Sequence, residues 1–358
     1  MTPFAFIIHP IDPKRDAARK YWFARYLPVS WVEWGLKRIS ARVLSEIEGV
    51  RSITGAETRG WFIGCGLTPK QMLELPTEFV YGKILECCEL AASKGAKLIG
   101  LGAFTAVVGD GGLTLSKRSP IPVTTGNSYT VATAIEGTLR AAEEMGIETR
   151  QATLAVVGAT GSIGHTCATI LAPMFANTLL IGRDLERTRA LADELGAAAR
   201  PTTDIVELKN ADVIISVTSS DSEIIEPEHL KPGCVVCDVA RPRDVSVRVQ
   251  TERDDVLVIE GGVVEVPGDV KFGFDFGFPP KTAYACMSET IILALENRAE
   301  SFTVGKNVSV AQVEEMQTLA AKHGFHLAGF RSFEKPVTKE KIRLVKSAAA
   351  KLSAPAVV

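Results

Sequence analysis

The stretch TLAVVGATGSIG, residues 153–164, decides how the chain is read. A short apolar run enters a turn in which Gly158, Gly161 and Gly164 recur at every third position, and an apolar helix follows. Glycine suits such a turn because the backbone must bend tightly and approach a pyrophosphate closely, while the new helix aims its free N–H groups at the phosphates. A glycine pattern alone is weak, but between a strand and a helix it is a dinucleotide fingerprint. Thr160, Ser162 and Ile163 belong to the same turn and join the three glycines as expected cofactor contacts. Gly161 is expected to need a positive φ and to refuse a β-branched replacement.

Downstream, LAVVG, TLLIG, DVIISV, CVVCDV and VLVIEG alternate with helical segments. They are unbroken apolar runs rather than alternating ones, as in strands covered on both faces. The fold class expected is therefore α/β, a Rossmann-type doubly wound parallel sheet. The second strand bears on the cofactor. An NAD site usually ends it with an acidic residue for the ribose hydroxyls, whereas here Gly182, Arg183 and Asp184 follow TLLI. Arg183 and Arg187 suit a 2′-phosphate, and Asp184 suits the cap of the next helix, so NADPH is the cofactor expected. Thr218, Ser219, Gly261 and Gly262 lie at later strand ends, where the nicotinamide half belongs.

Upstream, residues 1–126 read as a smaller α/β substrate domain, 127–275 as the nucleotide domain, and 276–358 as a C-terminal helical segment with a basic tail. Phe4–Ile8 reads as a strand, and SITGAETRGWFIGCGL as a hairpin with Gly55 and Gly60 near its turn. GDGGLTLSKRS reads as a polar loop, and a helix is expected from Ser128 to about Met145. With 40 basic against 42 acidic residues, the chain gives no reason to expect nucleic acid. No apolar run is long enough to span a membrane, and the first residues do not read as a signal peptide. Seven cysteines without regular spacing suit a reduced cytoplasm. CVVC, Cys234 and Cys237, reads as two buried strand thiols, and no metal site is assigned: the nearest to a metal-spaced pair is His323 and His326.

In KTAYACMSETI, residues 281–291, Cys286 stands in the first turns of an apolar helix behind the run KFGFDFGFPP. A helix N-terminus and Lys281 would favour a thiolate there. A thiolate beside a hydride donor can take an acyl group from a thioester and hold it for reduction to an aldehyde. By spacing alone a small core cysteine remains the slightly better reading.

GAFTAVV, TTGNSYTVATAIE, TLAVVGATGSIG, EGGVVEV and YACMSETIILALE, in this order, make the sequence resemble the long-chain fatty acyl-[acyl-carrier-protein] reductases. The likeness spans most of residues 4–330 and implies NADPH, an acyl-carrier protein or acyl-CoA as substrate carrier, and a fatty aldehyde as product. It also implies the nucleophile's role for Cys286, and an aldehyde-consuming enzyme as a further partner. Thr125, Gly126, Asn127 and Tyr129, within one of these motifs, are the expected substrate contacts.

Two stretches remain. Trp22, Trp31 and Trp34 lie close together; core packing is the leading reading, an acyl tunnel or contact with a membrane surface the others. Lys335, Lys339, Lys341, Arg343, Lys346 and Lys351 read as a solvated face that an acidic carrier could meet. The rival to the whole reading is an NADP-dependent dehydrogenase of a small hydroxy or amino acid, similar to shikimate dehydrogenases, with Lys83 or Lys97 as its acid–base group and Cys286 as packing.

Overall fold

The computed structural model describes all residues except 19, 20, 276 and 354–358. The chain forms two compact units: residues 1–129, 264–307 and 315–326 make the first, and 130–263, 308–314 and 327–358 the second. The expected division at 126 and 275 therefore changes, because the segment after 275 does not stand alone. Helix Ala285–Leu295 is apolar on nearly every face and buries all its residues except Cys286. Such a helix needs neighbours all round, and it finds them in the first unit. The tail helix Lys339–Ser353 belongs to the second unit, where Ile342, Val345 and Ala349 are buried.

The first unit holds strands β1 (Phe4–Ile8), β2 (Arg42–Arg51), β3 (Glu57–Gly64), β4 (Leu98–Gly100) and β5 (Val123–Thr124). They form a six-stranded sheet with Gly268–Lys271 at one edge, in the order edge strand-β2-β3-β1-β4-β5. β3, β1, β4 and β5 are mutually parallel, while β2 and the edge strand run antiparallel to their neighbours. The hairpin is present, with Gly55 at φ +87° in its turn. Gly60 instead sits within β3 opposite Phe4, where a Cβ would come within 2.7 Å of the Phe4 ring and carbonyl oxygen. Helix Thr77–Ser93 turns Ile84, Cys87, Cys88 and Ala91 into a core shared with Ile7, Ile63 and Ile99. The expected loop at 109–119 contains helix Leu113–Arg118, because the Asp110 carboxylate accepts from the Thr114 N–H and hydroxyl and so satisfies its start.

The three tryptophans overturn the core reading. Trp22 is 66 % exposed, Trp31 66 % and Trp34 60 %, while the small side chains of the same segment, Ala17, Ala24, Val32 and Leu36, form its interior.

The second unit is a wholly parallel sheet of β6 (Thr153–Val157), β7 (Asn177–Ile181), β8 (Ala199–Thr202), β9 (Val213–Ser216), β10 (Val235–Asp238) and β11 (Leu257–Glu260). Its order, β11-β10-β9-β6-β7-β8, is the Rossmann order, with the reversal between β6 and β9. Ala155, Val157, Leu179, Ile181, Ile214, Val236 and Val258 form its core. Burial pushes the thiols of Cys234 and Cys237 up to about 12, so both stay protonated and the CVVC run is packing, as read.

Candidate active site

The glycine turn leaves β6 at the strand-order reversal. Gly158 has φ +80°, and the Ile181 carbonyl accepts from the N–H groups of Gly158 and Ala159. A Cβ on Gly164 would lie 2.2 Å from the Gly158 oxygen, so the third glycine lets helix Ser162–Leu171 press against the turn. Gly161 departs from expectation: its φ is −78°, as the residue before the helix, and the positive φ falls at Gly158. A Cβ on Gly161 would approach only the Gly158 oxygen, at 3.2 Å. Its exposed face is space for a ligand rather than strained backbone. The Ser162 hydroxyl, at the start of the helix, is buried without a hydrogen-bond partner among the described residues. A buried orphan hydroxyl is costly unless something bonds it, and a phosphate oxygen at a helix N-terminus would do so. A nicotinamide dinucleotide therefore fits this turn.

At the end of β7 stand Arg183, Asp184 and Arg187. Asp184 accepts from the N–H groups of Glu186 and Arg187 and caps helix Leu185–Leu195, so its carboxylate is committed. The Arg187 guanidinium donates to the Thr160 carbonyl at 3.3 Å, which brings its charge to the glycine turn; Arg183 is exposed beside it. Thr218 is also at the turn, 3.1 Å from where a Gly158 Cβ would stand. Its N–H and hydroxyl, however, are held by Asp244, a buried carboxylate that also accepts from Ser216. Burial raises the Asp244 carboxyl above its usual range. Ser219, the next residue, is exposed. A Cβ on Gly261 would meet Val239 at 2.7 Å and the Cys237 sulfur at 3.1 Å, so packing accounts for it, and Gly262 has φ +82°.

Cys286 is the only cysteine of the seven that is not buried. It lies in the first turn of helix Ala285–Leu295, directly after the short strand Thr282–Tyr284. Gly126, at φ +77°, is packed against it: a Cβ there would fall 2.2 Å from the Cys286 Cα. The reason for that contact is a residue the sequence reading missed. Glu289, one turn beyond Cys286, is fully buried, and its two oxygens take four donors. The hydroxyls of Thr124 (2.5 Å) and Thr303 (2.8 Å) donate to one oxygen; the Ser128 hydroxyl (2.6 Å) and the Tyr129 N–H (3.1 Å) donate to the other. The segment 124–129 is thereby clamped to the cysteine helix by a carboxylate whose acceptor sites are filled. The signal was present in the unusual polar pair Ser288-Glu289 inside an apolar helix. Of the expected substrate contacts, Gly126 adjoins the cysteine and Tyr129 joins the clamp. Thr125 gives its hydroxyl and N–H to the Thr303 carbonyl, and Asn127 opens helix Asn127–Met145. Lys281 is not placed as expected: its ammonium pairs with Asp269 at 3.3 Å. The His323 ring nitrogens are hydrogen-bonded to the Ser52 hydroxyl and the Glu296 carboxylate.

Residues 140–260, the body of the second unit, match the family model described as shikimate / quinate 5-dehydrogenase. The chain is 31% identical over 300 residues to the aminotransferase PigE of a Serratia species, a match covering 82% of this chain and 35% of that protein. It thus spans about a third of that relative's length. It is 28% identical over 330 residues to the long-chain acyl-[acyl-carrier-protein] reductase of Synechococcus elongatus, covering 88% of this chain and 95% of that protein. Among solved structures, glutamyl-tRNA reductase from Methanopyrus kandleri covers 79% of this chain and 50% of its own at 17% identity and a TM-score of 0.32. The resemblance carried by the motifs is thereby shown: over nearly its whole length the chain is similar to long-chain acyl-[acyl-carrier-protein] reductases, and its class is that of the NADP-dependent oxidoreductases.

Proposed function

We propose that the protein reduces a long-chain acyl thioester to a fatty aldehyde through an acyl-cysteine intermediate. The observation that carries this reading is the placement of Cys286, the one cysteine left accessible, in the first turn of a buried helix and against Gly126. The Cys286 thiolate attacks the thioester carbonyl carbon; a new C–S bond forms, and the carrier leaves as its own thiolate. NADPH, when bound, supplies the hydride that reduces the enzyme thioester. The tetrahedral oxyanion so formed collapses, the bond to the Cys286 sulfur breaks, and aldehyde leaves while the thiolate is restored. Because a thiolate is a good leaving group, no strong general acid is needed. Glu289 takes no part in proton transfer; it keeps segment 124–129 fixed beside the nucleophile. Gly158, Gly161 and Ser162 would hold the pyrophosphate, and Arg183 and Arg187 the 2′-phosphate. Gly126, Asn127 and Tyr129 border the acyl group. The carrier is acyl-carrier protein or coenzyme A, the setting the cytoplasm, and an aldehyde-consuming enzyme takes the product.

The test is intact-mass spectrometry after incubation with a long-chain acyl-CoA in the absence of NADPH. One acyl adduct is expected on the wild type and none on Cys286→Ser, with discharge as aldehyde when NADPH is added. No adduct, together with NADPH-linked turnover of a hydroxy acid, would overturn it. That outcome is the second reading, favoured by the dehydrogenase-model match over 140–260. Against it, Lys83 is paired with Glu86 at 3.0 Å and Lys97 lies exposed.

A further inference from the structure

The described residues between 13 and 42 are built inside out. Helices Pro13–Ala18 and Val29–Leu36 and the 3-10 turn Trp22–Tyr26 enclose a small core of Ala17, Ala24, Val32 and Leu36. The large side chains face outward instead: Trp22, Trp31, Trp34 and Tyr26 (73 % exposed), with Phe23 and Val29 about half exposed. Other exposed apolar residues, such as Ile53, Leu73 and Leu185, are dispersed along the chain, which needs no explanation. Six within thirteen positions do.

Charge indicates what covers them. The chain as a whole has slightly fewer basic than acidic residues, yet this segment carries eight Lys or Arg against Asp16 and Glu33. Cations are interleaved with the rings: the Arg38 guanidinium lies 3.9 Å from the Trp34 ring centroid and donates to the Trp34 carbonyl, and Arg25 lies 5.8 Å from the Tyr26 ring. The segment's formal charge is +6, eight basic minus two acidic residues, and that excess favours a negatively charged partner surface. Rings and cations alternating on one short amphipathic segment match the boundary zone of a bilayer, where tryptophan sits at the headgroups and arginine meets lipid phosphates. No helix among the described residues is long and apolar enough to cross a membrane, so the contact is peripheral.

We propose that residues 13–18 and 21–42 dock the protein on anionic lipid surfaces, with Trp22, Trp31 and Trp34 entering the headgroup region and Arg25 and Arg38 meeting lipid phosphates. The proposal does not depend on the reaction assigned above. The test is co-sedimentation of the full chain with vesicles of phosphatidylcholine alone and of phosphatidylcholine mixed with phosphatidylglycerol. The mixed vesicles should bind it at least about 100-fold more tightly, since each basic residue near an anionic surface contributes appreciably, and added salt should weaken binding. Trp22→Ala/Trp31→Ala/Trp34→Ala should bind mixed vesicles at least about tenfold more weakly while keeping its circular dichroism and thermal unfolding. Should that variant misfold, Arg25→Glu/Arg38→Glu decides by the same loss. Failure of the wild type to sediment, equal binding to both vesicle types, or unaltered binding by folded variants overturns the proposal. So does a wild-type dimer, seen by light scattering without lipid and lost in the triple tryptophan variant, which would assign the patch to a second copy.

Discussion

Two helices, one in each unit, start at the sites proposed to matter, and they start in opposite ways. The helix at Ser162 opens on glycine, with open space at Gly161 and a hydroxyl that nothing among the described residues bonds. The helix at Ala285 opens on a side chain, with Gly126 pressed onto Cys286 and Glu289 saturated by four donors one turn later. The first is shaped to be completed by something else. The second is already complete and holds its own reactive atom in place. A site that receives a phosphate is best left empty of side chains, whereas a nucleophile gains from a rigid setting.

The most severe way to break this comparison is to exchange sulfur for oxygen on each side. Cys286→Ser should lower aldehyde formation by about three orders of magnitude or more, with thermal stability almost unchanged, because a covalent step is lost and little packing is. Cys237→Ser, in buried strand β10, should do the reverse, costing about 1–3 kcal/mol of stability and leaving activity per folded molecule intact. Chemical denaturation alongside an aldehyde assay separates them; parallel behaviour of the two would remove the distinction.

The clamp and the orphan hydroxyl offer a second contrast. Glu289→Gln turns an acceptor-only group into one that must point an NH2 at existing donors, so we expect about 2–4 kcal/mol of lost stability in urea titration. Ser162→Ala removes a polar atom that has no partner among the described residues and should not destabilise at all. It should instead weaken NADPH by about tenfold, the worth of one hydrogen bond to an anion. A destabilised Ser162→Ala with unchanged NADPH affinity would show that the turn is structural only. At the same unit's edge, Arg183→Ala should weaken NADPH by about tenfold and leave NADH nearly unchanged, since only one carries the 2′-phosphate. Equal losses in isothermal titration would remove the arginine assignment.

The smallest expected effect compares buried titrating groups of the two units. In the first, His9 accepts the Phe104 N–H and enclosure lowers it from 6.5 to about 4, so its neutral form belongs to the folded state. Its contribution is complete above pH 6.5 and is lost as pH falls through 4. In the second, burial raises Asp238 from 3.8 to about 6, which makes stability fall as pH rises through that window. Each is worth at most about 3 kcal/mol at 1.36 kcal/mol per unit, and the two oppose. Asp238→Asn should therefore steepen the rise of stability between pH 4 and 6, and His9→Gln should flatten it, as read from unfolding midpoints across pH. Unchanged slopes in both would show that neither group titrates as its surroundings imply.

The second unit was far more legible than the first. Its strands announce themselves as unbroken apolar runs, and each glycine of 158–164 sits within the local geometry it governs, apart from the interchange of roles between Gly158 and Gly161. The first unit misled in places for physical reasons. Helix Leu113–Arg118 hid in a glycine-rich run because the Asp110 carboxylate, which accepts from the Thr114 N–H and hydroxyl, outweighed weak local propensity. The tryptophans were expected inside because size and hydrophobicity favour burial, but a segment of alanines and one valine and leucine had already filled the space beneath them.

What the amino-acid sequence by itself determined is the local chemistry: a parallel nucleotide sheet from periodicity and glycine spacing, the arginine in place of an acid after the second strand, and a cysteine at a helix start. Only the tertiary structure decided which unit that cysteine helix joins, that Gly126 touches Cys286, and that Glu289 binds four donors drawn from residues 124–129 and 303. These are pairings between residues more than a hundred positions apart, apart from the link to Thr303. Periods of two and 3.6 residues report which face of an element is buried. They carry no information about which distant element lies against that face, and that is settled by packing and by the need to satisfy every buried polar group.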